Sequence, residues 1–271
     1  MLSFKCKRGE RHAQATMFII IAVVIVGAIV MIFLLANAGY IKIPKPPRQT
    51  LPAAQEYIGK CAHDAAQDVI DTMLPQGGYF TPTNYRLYNG DKVQYLVYNY
   101  QDYYPGTNQE PMYLEHIERE IIEKMTPRVN ECFLELKTEY EAMKYNVQPE
   151  PLGEMKISLV LKPGKVDIKI NRFFQVNRDL ESIKVEEFET FVISGVYDLA
   201  RAAVEIINQE FEYCNFETGG FTLLSNLYSR HNLVVSKYEF ADGARIYTIV
   251  DKNTNEVLNI AVRSCILPPG A

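Results

Sequence analysis

Met17-Phe-Ile-Ile-Ile-Ala-Val-Val-Ile-Val-Gly-Ala-Ile-Val-Met-Ile-Phe-Leu-Leu-Ala36 is a run of twenty residues without a charge. A helix rises about 1.5 Å per residue, so such a run matches the roughly 30 Å hydrocarbon core of a bilayer, whereas the apolar part of a secretory signal is about 7–15 residues long. The reading is a transmembrane helix over residues 14–38, with the lipid bilayer as its partner and a cytoplasmic basic segment at 1–13. Four cationic residues (Lys5, Lys7, Arg8 and Arg11) precede the run and three (Lys42, Lys45 and Arg48) follow it. The balance leans towards an N-terminus inside and an extracytoplasmic C-terminal domain at the cell membrane.

The rest of the chain is acidic. Setting aside the N-terminal Lys5, Lys7, Arg8, Arg11 and Glu10 leaves 24 basic against 32 acidic residues, which argues against a nucleic-acid partner. Residues 39–53 contain Ile41-Lys-Ile-Pro-Lys-Pro-Pro-Arg-Gln-Thr-Leu-Pro52, whose four prolines favour extended polyproline II and suit a stalk, or else a plain connector. Beyond it, 54–150 reads as a helical and Tyr-rich subdomain. Residues 151–271 read as an α+β subdomain with a central helix over 187–212.

Periodicity supplies the elements. Ile58, Cys61, Ala62, Ala65, Val69 and Met73 make a helical stripe from Ala54 to Leu74, closed by Pro75 and Gly77-Gly78. Val93 to Tyr100 suits a strand, Tyr104-Pro-Gly-Thr-Asn a loop, and Met112 to Tyr145 a second helix that Pro127 should break or kink. Lys162-Pro-Gly-Lys165 is the sequence of a type II turn, so Met155–Leu161 and Val166–Phe173 form a hairpin. Phe188, Phe191, Val192, Val196, Leu199, Ala203, Ile206, Ile207 and Phe211 predict the helix at 187–212, and Phe221 to Tyr228 a short one. A meander then runs through Leu233–Phe240, Arg245–Val250 and Val257–Arg263. Helices and hairpins in separate blocks give an α+β class, amphipathic helices packed on an antiparallel hairpin and meander sheet.

Chemistry is sparse. Cys61, Cys132, Cys214 and Cys265 make an even set that would pair in an oxidising space, with 61–132 and 214–265 favoured because the first two lie on apolar helix stripes; buried free thiols are the alternative. His116 and Glu120 are four apart on a helix, a spacing that can place two metal ligands on one face, but any helix rich in Glu produces it, so a solvated pair is the reading and no metal or other cofactor is expected. Nucleophile-elbow, phosphate-loop and dinucleotide signatures are absent. Nine of the eighteen tyrosines lie between Tyr79 and Tyr113. Tyrosine offers area and a hydroxyl at low entropic cost, which suits a contact surface of Tyr95, Tyr98, Tyr100, Tyr103 and Tyr104; tyrosines packed across a sheet are the alternative.

Lys5-Cys-Lys-Arg-Gly-Glu-Arg-His-Ala-Gln-Ala-Thr-Met-Phe-Ile-Ile-Ile resembles the class III signal of archaeal type IV pilin-like proteins. The resemblance implies cleavage after Gly9 or Ala13 and a body outside the cell. Tyr57-Ile-Gly-Lys-Cys-Ala through Gln76-Gly-Gly-Tyr-Phe is similar to a pattern in uncharacterised membrane-anchored archaeal surface proteins. The expected function is therefore a non-enzymatic, pilin-like surface protein that attaches to or contacts envelope or pilus-like proteins. A minor pilin or filament-assembly subunit and a tethered hydrolase of envelope polymers are the alternatives.

Overall fold

The computed structural model describes residues 21, 23–27, 54–99, 107–109, 113–149, 151–178, 181–221, 223 and 233–263. Its body, Pro52–Ala271, is a single unit of α+β class. The expected transmembrane helix ahead of this body is corrected: among the described residues no helix is long and apolar enough to cross a membrane. Ile21 and residues 23–27 are helical. The remainder of 14–38, the basic segment with Gly9 and Ala13, and the stalk lie outside the described residues.

Two antiparallel helices form the first layer. Helix α1, Ala54–Met73, buries Ile58, Ala62, Ala65, Ala66, Val69, Ile70 and Met73, the predicted stripe. It tightens into a 3-10 turn, Leu74–Gln76, and stops where Gly77 and Gly78 adopt positive φ. Helix α2, Tyr113–Ala142, runs through Pro127, where a break or kink was expected. Tyr57 meets Glu135, and Cys61 is bonded to Cys132, so the helices run in opposite directions.

They cover one face of a four-stranded sheet made of β4 (Asn146–Gln148), β5 (Lys156–Lys162), β6 (Lys165–Arg178) and β7 (Glu181–Ile193). The β5–β6 turn has Gly164 at φ +74°, as the Pro-Gly sequence predicts. Phe133 of α2 packs against Phe174 and Phe188, and Tyr140 against Phe174, with ring centroids 5.1–6.0 Å apart.

The central helix predicted over 187–212 is corrected. Residues up to Ile193 belong to strand β7, and helix α3 spans only Val196–Tyr213. Phe188, Val192 and Val196 are four apart, a spacing that a period of 3.6 and a period of 2 both satisfy. Pairing along thirteen residues of β7 with β6 decides for the strand, and Ser194-Gly195 separates it from the helix.

The second sheet has the order β1-β2-β10-β9-β8, with β3 also paired to β2. Its strands are β1 (Tyr85–Tyr88), β2 (Asp91–Asn99), β3 (Thr107–Gln109), β8 (Leu233–Glu239), β9 (Arg245–Asp251) and β10 (Val257–Val262). The last three form the predicted antiparallel meander, but β10 pairs parallel to β2, so the sheet is mixed. Strands from both sides of residue 150 share it, so the division into 54–150 and 151–271 is not a structural boundary.

Helix α3 is tied to this sheet by a buried polar bond set. The fully buried Glu210 accepts from the Tyr247 hydroxyl and, at 2.7 Å, from Arg245 Nη1, which also donates to Cys214 O at 2.6 Å. Burial, reinforced by the Glu210 carboxylate, drives the Tyr247 phenol well above its ordinary pKa. The helix predicted near Phe221 is described only at residues 218–221 and 223.

Candidate contact surface

The six-stranded sheet rolls until its two terminal strands, β1 and β8, stand side by side. Arg86 of β1 pairs with Asp242, in the turn after β8, at 2.6 Å. The same guanidinium lies 4.0 Å over the Phe240 ring, and Tyr88 faces Tyr238 with centroids 5.9 Å apart. Tyr238 in turn meets Phe240 edge-on at 4.8 Å. The roll encloses a small core of Val93, Tyr95, Ala244, Ile246 and Ala261, against which Tyr88, Tyr98 and Phe240 are half-buried.

Alternation along β1 places Arg86 and Tyr88 towards this core and Tyr85 and Leu87 on the opposite side, where Lys92 sits 5.0 Å over the Tyr85 ring. The outward part of the corner is therefore Tyr238, 53 % exposed, flanked by the exposed Asp242 carboxylate and the edges of Tyr88 and Phe240. The Arg86 guanidinium holds the Asp242 carboxyl below the ordinary carboxylate range. The corner thus presents aromatic area beside a fixed ion pair, a combination enriched at protein interfaces.

The tyrosines singled out from the sequence are distributed differently. Tyr95 is only 6 % exposed and belongs to the enclosed core, so it is corrected from a contact residue to a packing residue; strand alternation turns it inwards beside Ala261. Tyr98 lies at the margin of that core. Tyr100, Tyr103 and Tyr104 lie outside the described residues. Sequence reading passed over Tyr238, Phe240 and Asp242, which reach the corner from the other end of the sheet. It also passed over strand β1, although Asn89-Gly90, with φ of +51° and +98°, is a hairpin signal.

Cys61 and Cys132 form a disulfide with Cα atoms 6.6 Å apart, joining α1 to α2. Cys214 is disulfide-bonded as well. Cys265 lies outside the described residues. Most residues of the stretches Tyr57–Ala62 and Gln76–Phe80 have packing duties, Lys60 being an exposed partner of Asp64. Gly59 is buried against β7, with Glu189 O 3.6 Å from where a Cβ would stand, an ordinary packing contact, and the Tyr57 hydroxyl donates to Glu135 at 2.9 Å. The Tyr113 hydroxyl donates to Gly77 O at 2.9 Å, His116 Nε2 lies 3.1 Å from Gly78 O, and Phe80 N–H donates to Glu120 at 3.3 Å. His116 and Glu120 thus clasp the glycine turn rather than converge on one point.

Carboxylates do come together where Asp251 and Glu256 approach the start of α3. Glu256 accepts the Gly195 N–H, while Asp251 is 4 % exposed and accepts the Asn253 N–H at 2.8 Å. Both carboxyl groups stand at the positive end of a helix. On the outer face of the four-stranded sheet Asp167 is held below the usual carboxylate range by Lys162 and Lys165, at 2.7 and 2.8 Å. Among the described residues no three His, Cys, Asp or Glu group as metal ligands.

No family model, curated protein or solved structure matches this chain.

Proposed function

We propose that the chain is a non-enzymatic, pilin-like protein of the cell surface, held at the membrane with its body outside, and that the body contacts envelope or pilus-like proteins through the corner at Tyr238. The observation that carries this reading is the exposed Tyr238 ring, packed against Tyr88 and Phe240 and flanked by the Arg86–Asp242 pair. Rings already immobilised by their neighbours lose little entropy on docking, which is what makes tyrosine effective in contacts. The Cys61–Cys132 bridge supports an oxidising compartment.

The test is retention of the purified full-length chain on envelope fractions. Tyr238→Ala combined with Tyr98→Ala should lower retention about tenfold, the effect of losing roughly 1.4 kcal/mol at a hot spot. Undiminished retention, or none by the parent chain, ends the reading.

A further inference from the structure

Arg172 is an arginine of the interior, 6 % exposed, on the inward face of β6 that it shares with Ile170 and Phe174, beside an irregularity in the ladder. The β6–β7 ladder is regular as far as Asn171 opposite Glu187 and resumes with Phe174 opposite Val185, so Arg172 and Phe173 together face the single residue Glu186. Bulges of this kind re-aim side chains and are over-represented beside functional sites. Here the guanidinium lies 4.7 Å over the Phe133 ring, with Nε donating to Gly153 O at 3.1 Å and Nη1 to Asn130 Oδ1 at 2.9 Å.

Both acceptors are neutral. Arg86, Arg128 and Arg245 each have a carboxylate at 2.6–3.2 Å, whereas no described carboxylate comes within 4.0 Å of Arg172. A guanidinium has five N–H donors, two of which are used here, leaving one on Nη1 and both on Nη2. The Nη1–Nη2 edge is one of the two by which a guanidinium forks onto carboxylates and oxyanions. Burial draws the guanidinium pKa below its usual value, with no anion to offset it. Among the described residues, a Cβ built on Gly153 would find only Pro149 Cγ, at 3.7 Å, so no other described atom crowds the space beside Gly153.

We propose that Arg172 is the floor of an anion site, binding one carboxylate or oxyanion group on its Nη1–Nη2 edge beside Gly153. The site lies on the four-stranded sheet and is independent of the aromatic corner. Were Arg172 only a packing device, stacked on Phe133 and satisfied by two neutral oxygens, stability would carry no specific anion dependence.

The experiment titrates the full-length chain with sodium sulfate, sodium phosphate and sodium acetate, at ionic strength held constant with chloride, following the melting midpoint and the heat of binding. At least one anion should give a saturating one-site heat of binding and raise the midpoint with the logarithm of its concentration, by roughly 3–6 °C at ten times its dissociation constant. Sulfate or phosphate acting alone identifies a free oxyanion as the ligand; acetate acting alone identifies a carboxylate such as an acidic side chain. Arg172→Met should abolish the saturating part and keep only the unsaturable stabilisation that excluded salts give any protein. Asn130→Asp, which sets an internal carboxylate beside Nη1, should abolish it in a chain that still folds. Identical titrations of the parent chain and Asn130→Asp, or no saturable response by the parent chain, overturn the proposal.

Discussion

Arg86 Nη1 and Asp242 Oδ2 stand 2.6 Å apart although 156 residues separate them in the chain, and they join the two ends of a rolled sheet. Among the described residues β1 and β8 share no backbone ladder, so side chains close this roll. Asp242→Asn is expected to lower the melting midpoint. The sign of the pH dependence follows from the depressed Asp242 pKa. The pair's contribution is fully present above about pH 4, the unfolded carboxylate range, and is lost as pH falls through the lower folded value. Melts of the parent chain and Asp242→Asn between pH 2 and 6 should therefore converge at the acid end; a constant difference would refute the assignment.

The Cys61–Cys132 bridge closes a loop of 71 residues in the unfolded chain. Chain entropy alone gives it about 4 kcal/mol. Replacing both residues by serine should cost that order of stability in urea unfolding, and a reductant should destabilise the parent chain by more than the double variant, which keeps the Cys214 disulfide.

Gly78 has φ +78°, and a Cβ there would stand 2.5 Å from the Tyr113 hydroxyl. Gly78→Ala therefore meets both backbone strain and a collision, and should cost about 1–3 kcal/mol. Adding Tyr113→Phe removes the colliding oxygen, so the double variant should recover part of the loss in denaturant titrations. No recovery would mean that the backbone conformation accounts for the whole cost.

Tyr247→Phe deletes a donor to a carboxylate that is fully buried. Arg245 still binds Glu210, so the cost should be about 1–3 kcal/mol, that of one unmade buried hydrogen bond. Hydrogen exchange of α3 amides should accelerate with it, while α1 amides stay protected.

Local chemistry was legible in the sequence, and long-range pairing was not. Pro163-Gly164 and the stripe from Ile58 to Met73 declare themselves because each depends on residues a few positions apart. The stretch from Phe188 to Val196 misleads because its apolar spacing fits two periods, and only the partner strand β6 selects between them. The parallel pairing of Tyr95 with Ala261 has no local signature. For the same reason the tyrosines were grouped by chain position, while the corner that forms draws on Tyr238, Phe240 and Asp242 from the far end. Arg172 did leave a trace: with Ile170 and Phe174 it occupies one face of a strand that is otherwise apolar there.

Helix α1 and Glu118 have a protective role at the margins of the four-stranded sheet. Gln55 Nε2 donates to Glu189 O on β7, and the Leu161 N–H of β5 donates to Glu118 Oε1. Main-chain groups on β7 and β5, two of the three strands that have a single partner in this sheet, are thus engaged by helix side chains. At those two positions the strand margin is already occupied, which removes these main-chain groups as templates for a strand of another molecule.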